Sequence, residues 1–128
     1  MKGLLTCFLV AIACLCLVQS ADAWNRPQKS DRFNCFNKNR DVGNAIETFC
    51  FGNKNMVVPS QKARDGAWSK KGKISVWIRG TCKPPQWVPS NWCFDNFFNM
   101  CMNMNKNNKV TANYGKDGGC QTWRIKQF

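Results

Sequence analysis

The chain has 128 residues, with 19 Lys/Arg against 7 Asp/Glu, a net charge of +12 and no histidine. That length suits one domain with a modest core. The missing histidine removes the commonest general acid/base, and the cationic excess points to acidic partners, with plain solubility as the bland alternative.

Met1 and Lys2 precede an apolar run from Gly3 to Val18, followed by Ala21-x-Ala23. This is the pattern of a secretory signal peptide over residues 1–23, cut after Ala23, and it predicts a secreted, extracellular protein. A cut after Ser20 is the alternative, and so is an uncleaved anchor, although the run falls short of the roughly 20 residues that span a bilayer. Of the nine cysteines, Cys7, Cys14 and Cys16 lie in the run. The rest, Cys35, Cys50, Cys82, Cys93, Cys101 and Cys120, form an even set that reads as three disulfides. No Cys-x-x-Cys occurs, so structural zinc spacing is absent and no metal or other cofactor is expected.

Residues 24–40 are polar and basic, and read as an extended arm with a short strand around Phe33–Phe36. A single disulfide-rich domain is expected over 41–128. Asp41 can cap a helix over 42–51, whose Val42, Ile46, Phe49 and Cys50 share one face. Met56-Val57-Val58 is a brief strand, and a long polar stretch runs from Gln61 to Gly72. Lys73–Arg79 alternates as a clear strand, with Ile74, Val76 and Ile78 on one side and Lys73, Ser75, Trp77 and Arg79 on the other. Lys83–Pro89 reads as a stiff connector. Ser90 then caps a second helix with Phe94, Phe97, Phe98, Cys101 and Met102 inward, and Asp95 in its first turn. A hairpin closes the chain: Lys109–Tyr114, a turn at Gly115–Gly119, then Cys120–Lys126, in which Gln121, Trp123 and Ile125 share one face and Thr122, Arg124 and Lys126 take the other.

The expected fold is therefore α+β, a small two-layer sandwich of two helices on a four-stranded antiparallel sheet, stapled by disulfides. Cys93 and Cys101 stand eight residues apart on one helix, about 12 Å, too far to bridge each other. Twelve of the 15 pairings of six cysteines stay open.

Little here carries catalysis. The carboxylates available to a glycosidase-type pair are Asp31, Asp41, Glu47, Asp65, Asp95 and Asp117, and most have local structural roles. Neither helix has the lysine-rich face of a membrane-lytic segment. The remaining signal is a basic-aromatic segment: Lys62, Arg64, Lys70, Lys71, Lys73, Arg79 and Lys83 against one acid, Asp65, with Trp68 and Trp77 interleaved. These residues, Trp77 included, form a candidate site for an anionic partner, unless Trp77 merely covers the second face of the sheet. No nucleic-acid motif is present.

Ile46-x-x-Phe49-Cys50, Cys93-x3-Phe97-x3-Cys101 and the ending Gly119-Cys120-Gln121-Thr122-Trp123-Arg124-Ile125 follow a secretory signal. The arrangement resembles small cysteine-rich secreted proteins of fungi, including candidate effectors of plant pathogens and relatives of virally encoded killer toxins. The resemblance covers roughly residues 42–126, and implies a compact α/β sandwich with a non-enzymatic role towards another organism. The expectation is a monomeric, effector- or toxin-like binding protein whose acidic partner is an anionic glycan, a lipid surface or an acidic protein. An antimicrobial or killer-type protein acting on anionic cell surfaces, and a hydrolase with an unrecognised carboxylate site, are the alternatives.

Overall fold

A computed structural model describes residues 29–128; the expected signal peptide lies outside them. The first described element is a helix, α1 (Lys29–Lys38), where an extended arm was expected. Asparagines and a narrow apolar edge give this segment little helical signal of its own. Its order comes from partners: Cys35 is wholly buried in a disulfide to Cys101, and Phe36 meets Phe98 at 6.1 Å between ring centres. The Lys38 ammonium donates to the carbonyls of Met102 and Met104 at 2.8 and 3.2 Å, satisfying the end of another helix.

Asn39 separates α1 from α2 (Arg40–Phe51). Its side-chain oxygen accepts from the backbone N–H groups of Asp41 and Val42, at 3.1 and 3.2 Å. Asn39 is thus the cap, not Asp41, and the helix starts earlier than expected. Val42, Ala45, Ile46, Phe49 and Cys50 form its fully buried stripe. Then come β1 (Met56–Val58), a short helix α3 (Gln61–Asp65) begun by Ser60, and β2 (Ala67–Trp68), the last two within the long polar stretch, to which the sequence assigned no element. Gly66 links them at φ +69°, and a Cβ there would fall 2.1 Å from the Val76 carbonyl oxygen. Only glycine serves at that approach.

β3 (Ile74–Gly80) is followed by β4 (Gln86–Val88), inside the expected connector, and by α4 (Ser90–Met102). Pro89 occupies the cap position of α4 without a side-chain bond, so Ser90 is not the cap and Asp95 lies beyond the first turn. β5 (Val110–Tyr114) and β6 (Gln121–Gln127) make the closing hairpin.

Two antiparallel sheets result, with orders β1-β4 and β2-β3-β6-β5. The α+β class holds, with four helices in the described residues rather than two, and with β1 and β4 in a ribbon of their own. Ile74, Val76, Ile78, Trp123 and Ile125 form the inner face of the larger sheet, all at most 3% exposed. Across it lie α2 and α4, with α1 packed on both helices.

All six cysteines pair: Cys35–Cys101, Cys50–Cys93 and Cys82–Cys120. Between the two bridges of α4 stands Phe97, wholly buried, 5.6 Å from the Phe49 ring and 4.8 Å from that of Trp123. Phe97→Ala should cost about 3–5 kcal/mol in denaturant unfolding with the bridges intact, whereas Phe33→Ala, at an exposed side chain, should stay within about 0.5 kcal/mol.

Candidate functional site: a cationic sheet face and a neighbouring groove

Alternation along β3 and β6 turns one set of side chains away from the helices. The ladder sets Lys73 beside Phe128, Ser75 beside Lys126, Trp77 beside Arg124 and Arg79 beside Thr122. Each of these four rows carries one cation, the outer two (Lys73 and Arg79) on the β3 side and the inner two (Lys126 and Arg124) on β6. Rows stand about 7 Å apart, so the cations make a stripe about 20 Å long. β2, β3, β5 and β6 contain no Asp or Glu. Among the described residues, no ion pair involves Lys73, Arg79, Arg124 or Lys126.

One end of the stripe is aromatic. Trp68 and Phe128 are 50% and 62% exposed with their rings 5.1 Å apart, and the Lys126 ammonium sits 4.2 Å over the Phe128 ring. Trp77 does not join them at the surface. Its side chain is packed between the cations and against Gly66, and its indole N–H is buried with no partner among the described residues. Covering the sheet is therefore what this tryptophan does.

The other residues expected at an anion site are exposed but dispersed. Lys70 and Lys71 occupy the β2–β3 turn, where the Gly72 N–H donates to the Ser69 carbonyl at 2.8 Å. Lys71 lies 3.8 Å from Asp41, an exposed pair of little energetic weight. Lys62 and Arg64 ride on α3, and Arg64 and Arg79 flank a cleft of about 470 Å³ floored by Pro59, Ser60 and Gly80. Lys83 belongs to a different place altogether.

That place is an open groove of about 1020 Å³ between the β4–α4 segment and the β5–β6 turn. Trp87 and Trp92 line it and are 61% and 58% exposed. Gln86 ties its two walls together: its Oε1 accepts from the Lys116 N–H and from Gln121 Nε2, both at 3.2 Å. Gln121 Oε1 in turn accepts from the buried Trp123 indole at 2.8 Å. Gly115, at φ +93°, permits the approach, since a Cβ would stand 2.7 Å from Gln86 Oε1. The Cys82–Cys120 bridge fixes both flanks.

Asp95 and Tyr114 also line this groove. Burial, and then the nearby Asp31 carboxylate, hold the Asp95 carboxyl above the usual carboxylate range; burial likewise raises the Tyr114 hydroxyl.

Lys73 and Arg79 belong to the basic segment that the sequence marks, whereas Arg124 and Lys126 lie outside it, although their outward alternation is legible. The missing information was that β6 pairs with β3. A scan against protein-family models finds no match to the chain, and searches of curated proteins and of solved structures find none either.

The folded chain holds the Asp95 proton more tightly than the unfolded chain does. Its contribution to stability therefore falls as pH rises through the range just above the ordinary carboxylate value. Asp95→Asn should raise Tm at neutral pH, with the gain vanishing below about pH 4, as thermal melts across pH would read.

Proposed function

We propose that this chain is an exported, cysteine-rich binding protein of the effector or toxin type, acting without catalysis on a linear acidic partner outside the cell. The observation that carries the proposal is the stripe of Lys73, Lys126, Arg124 and Arg79, one cation per row on a face whose strands hold no carboxylate. A scatter of surface lysines serves solubility equally well in any order. A single file at regular spacing fits a chain of anions, and an anionic glycan is the preferred member of that class. The exposed Trp68–Phe128 pair at its end offers an apolar contact for the backbone of such a polymer.

Export is supported by three disulfides, a feature of oxidising compartments. No helix in the described residues is long and apolar enough to cross a membrane. The bridges also offset the self-repulsion of a +12 chain, each contributing about 2–4 kcal/mol.

The test is a comparison at equal charge. Reversing Arg79, Arg124 and Lys126 to Glu should weaken binding to a sulfated glycan about tenfold or more near physiological salt, and should flatten the salt dependence. Reversing Lys62, Lys70 and Lys71 to Glu should do much less. Equal losses from both sets would mean that net charge alone is read, and would sink the proposal. Anionic vesicles and polyglutamate in the same assay separate the lipid and acidic-protein partners from the glycan.

A further inference from the structure

The groove differs from the rest of the surface in charge. Lys83 and Lys116 line it, and so do Asp95 and Asp117, two cations against two carboxylates on a chain with 19 Lys/Arg and 7 Asp/Glu. A polyanion drawn to the sheet face would meet both carboxylates here. An uncharged occupant meets no such opposition.

Its lining combines two kinds of surface. Trp87 and Trp92 are each more than half exposed, and prolines at 84, 85 and 89 extend the apolar floor. Around them stand hydrogen-bonding groups: the amide of Asn96, the Tyr114 hydroxyl, and the charged groups of Asp95, Asp117, Lys83 and Lys116. Flat apolar platforms among polar donors and acceptors match a pyranose, whose C–H face stacks on indole while its hydroxyl edge takes hydrogen bonds. An apolar peptide would use the tryptophans and leave the polar groups without partners. The volume, at the upper end of small-ligand sites, leaves room for more than one sugar ring.

The site is also held in shape before any ligand arrives. Gln86 bonds the turn and β6 at once, Gly115 admits its amide, and Cys82–Cys120 closes the base. Such preorganisation lowers the ordering cost of binding.

We propose that the groove between the β4–α4 segment and the β5–β6 turn is a binding site for a neutral oligosaccharide, with Trp87 and Trp92 as its stacking platforms. It is separate from the cationic stripe, and either surface can fail without the other.

The experiment titrates the full chain, expressed for export and isolated with its bridges intact, with hexasaccharides of β-1,4-N-acetylglucosamine, β-1,3-glucose, β-1,4-glucose and mannose. Calorimetry and intrinsic tryptophan fluorescence give the readout. Saturable binding of at least one sugar is expected, unchanged when salt is raised to about 0.5 M. Trp87→Ala with Trp92→Ala should weaken it about tenfold or more, since exposed anchors carry most of such an energy. Neither ring is in the core, so the double variant should keep the wild-type Tm. The triple reversal at Arg79, Arg124 and Lys126 should retain the sugar. Failure of all four sugars, or affinity that survives both tryptophan substitutions, would overturn the proposal. Binding of a proline-rich peptide in place of every sugar would overturn it too.

Discussion

A single row of side chains on α4 organises the molecule. Cys93, Phe97 and Cys101 follow at intervals of four residues and share one helix face. The two cysteines cannot reach each other, so each must find another helix: Cys93 takes Cys50 on α2, and Cys101 takes Cys35 on α1. Phe97, held between these bridges, is pressed onto Phe49 and Trp123 and joins the helical layer to the sheet. The two bridges close loops with sequence separations of 66 and 43 residues, long enough for each to remove several kcal/mol of unfolded-chain freedom, on the order of 3–5. Without that row, α1 has one buried cysteine and a phenylalanine edge, too little for a ten-residue helix.

The clamp on one face of the sheet leaves the other free to carry charge. Because the five apolar inner residues of β3 and β6 are at most 3% exposed, the apolar driving force is spent on that side. The outer rows can hold four unpaired cations because their heads stay in water, where an unpaired charge costs little. Trp77 fills the space between them, and one face thus becomes a packed surface with a charged rim rather than a second core. The third bridge works at the opposite end. With Gln86 it locks the β5–β6 turn against β4, so the groove walls come from segments some 30 residues apart in sequence.

Local periodicity made much of this legible in the sequence. Alternation in 73–79 and 121–126 placed the inner and outer sets correctly, and the 3.6-residue stripe of 90–102 placed Phe97 and Cys101 inward. The eight-residue spacing of Cys93 and Cys101 excluded one pairing, and that exclusion holds. What periodicity does not encode is which segment lies beside which. α1 was missed because its helix is imposed by contacts. β4 was missed because prolines at 84, 85 and 89 flank only three strand residues, whose partner is β1. The basic segment 62–83 is continuous in sequence but not in space: Lys83 turns to the groove, Lys70 and Lys71 to a hairpin tip, and Arg79 joins Arg124 and Lys126 from a strand more than forty residues on.

The segregation of charge bears on how so small a protein could hold a complex surface. Each proposed site is shallow and solvent-accessible, a geometry that yields modest affinity for an isolated ligand. A polysaccharide-rich surface presents anionic and neutral sugars together, and two unlike sites on one rigid body then act in series. Once the stripe is engaged through long-range attraction, the groove meets its ligand at the effective concentration of a tethered pair, on the order of millimolar. The gain needs no new contact, only a fixed relation between the sites. The hydrogen-bonded chain from Trp123 through Gln121 to Gln86 supplies one, since it runs from the strand bearing Arg124 and Lys126 to the wall of the groove.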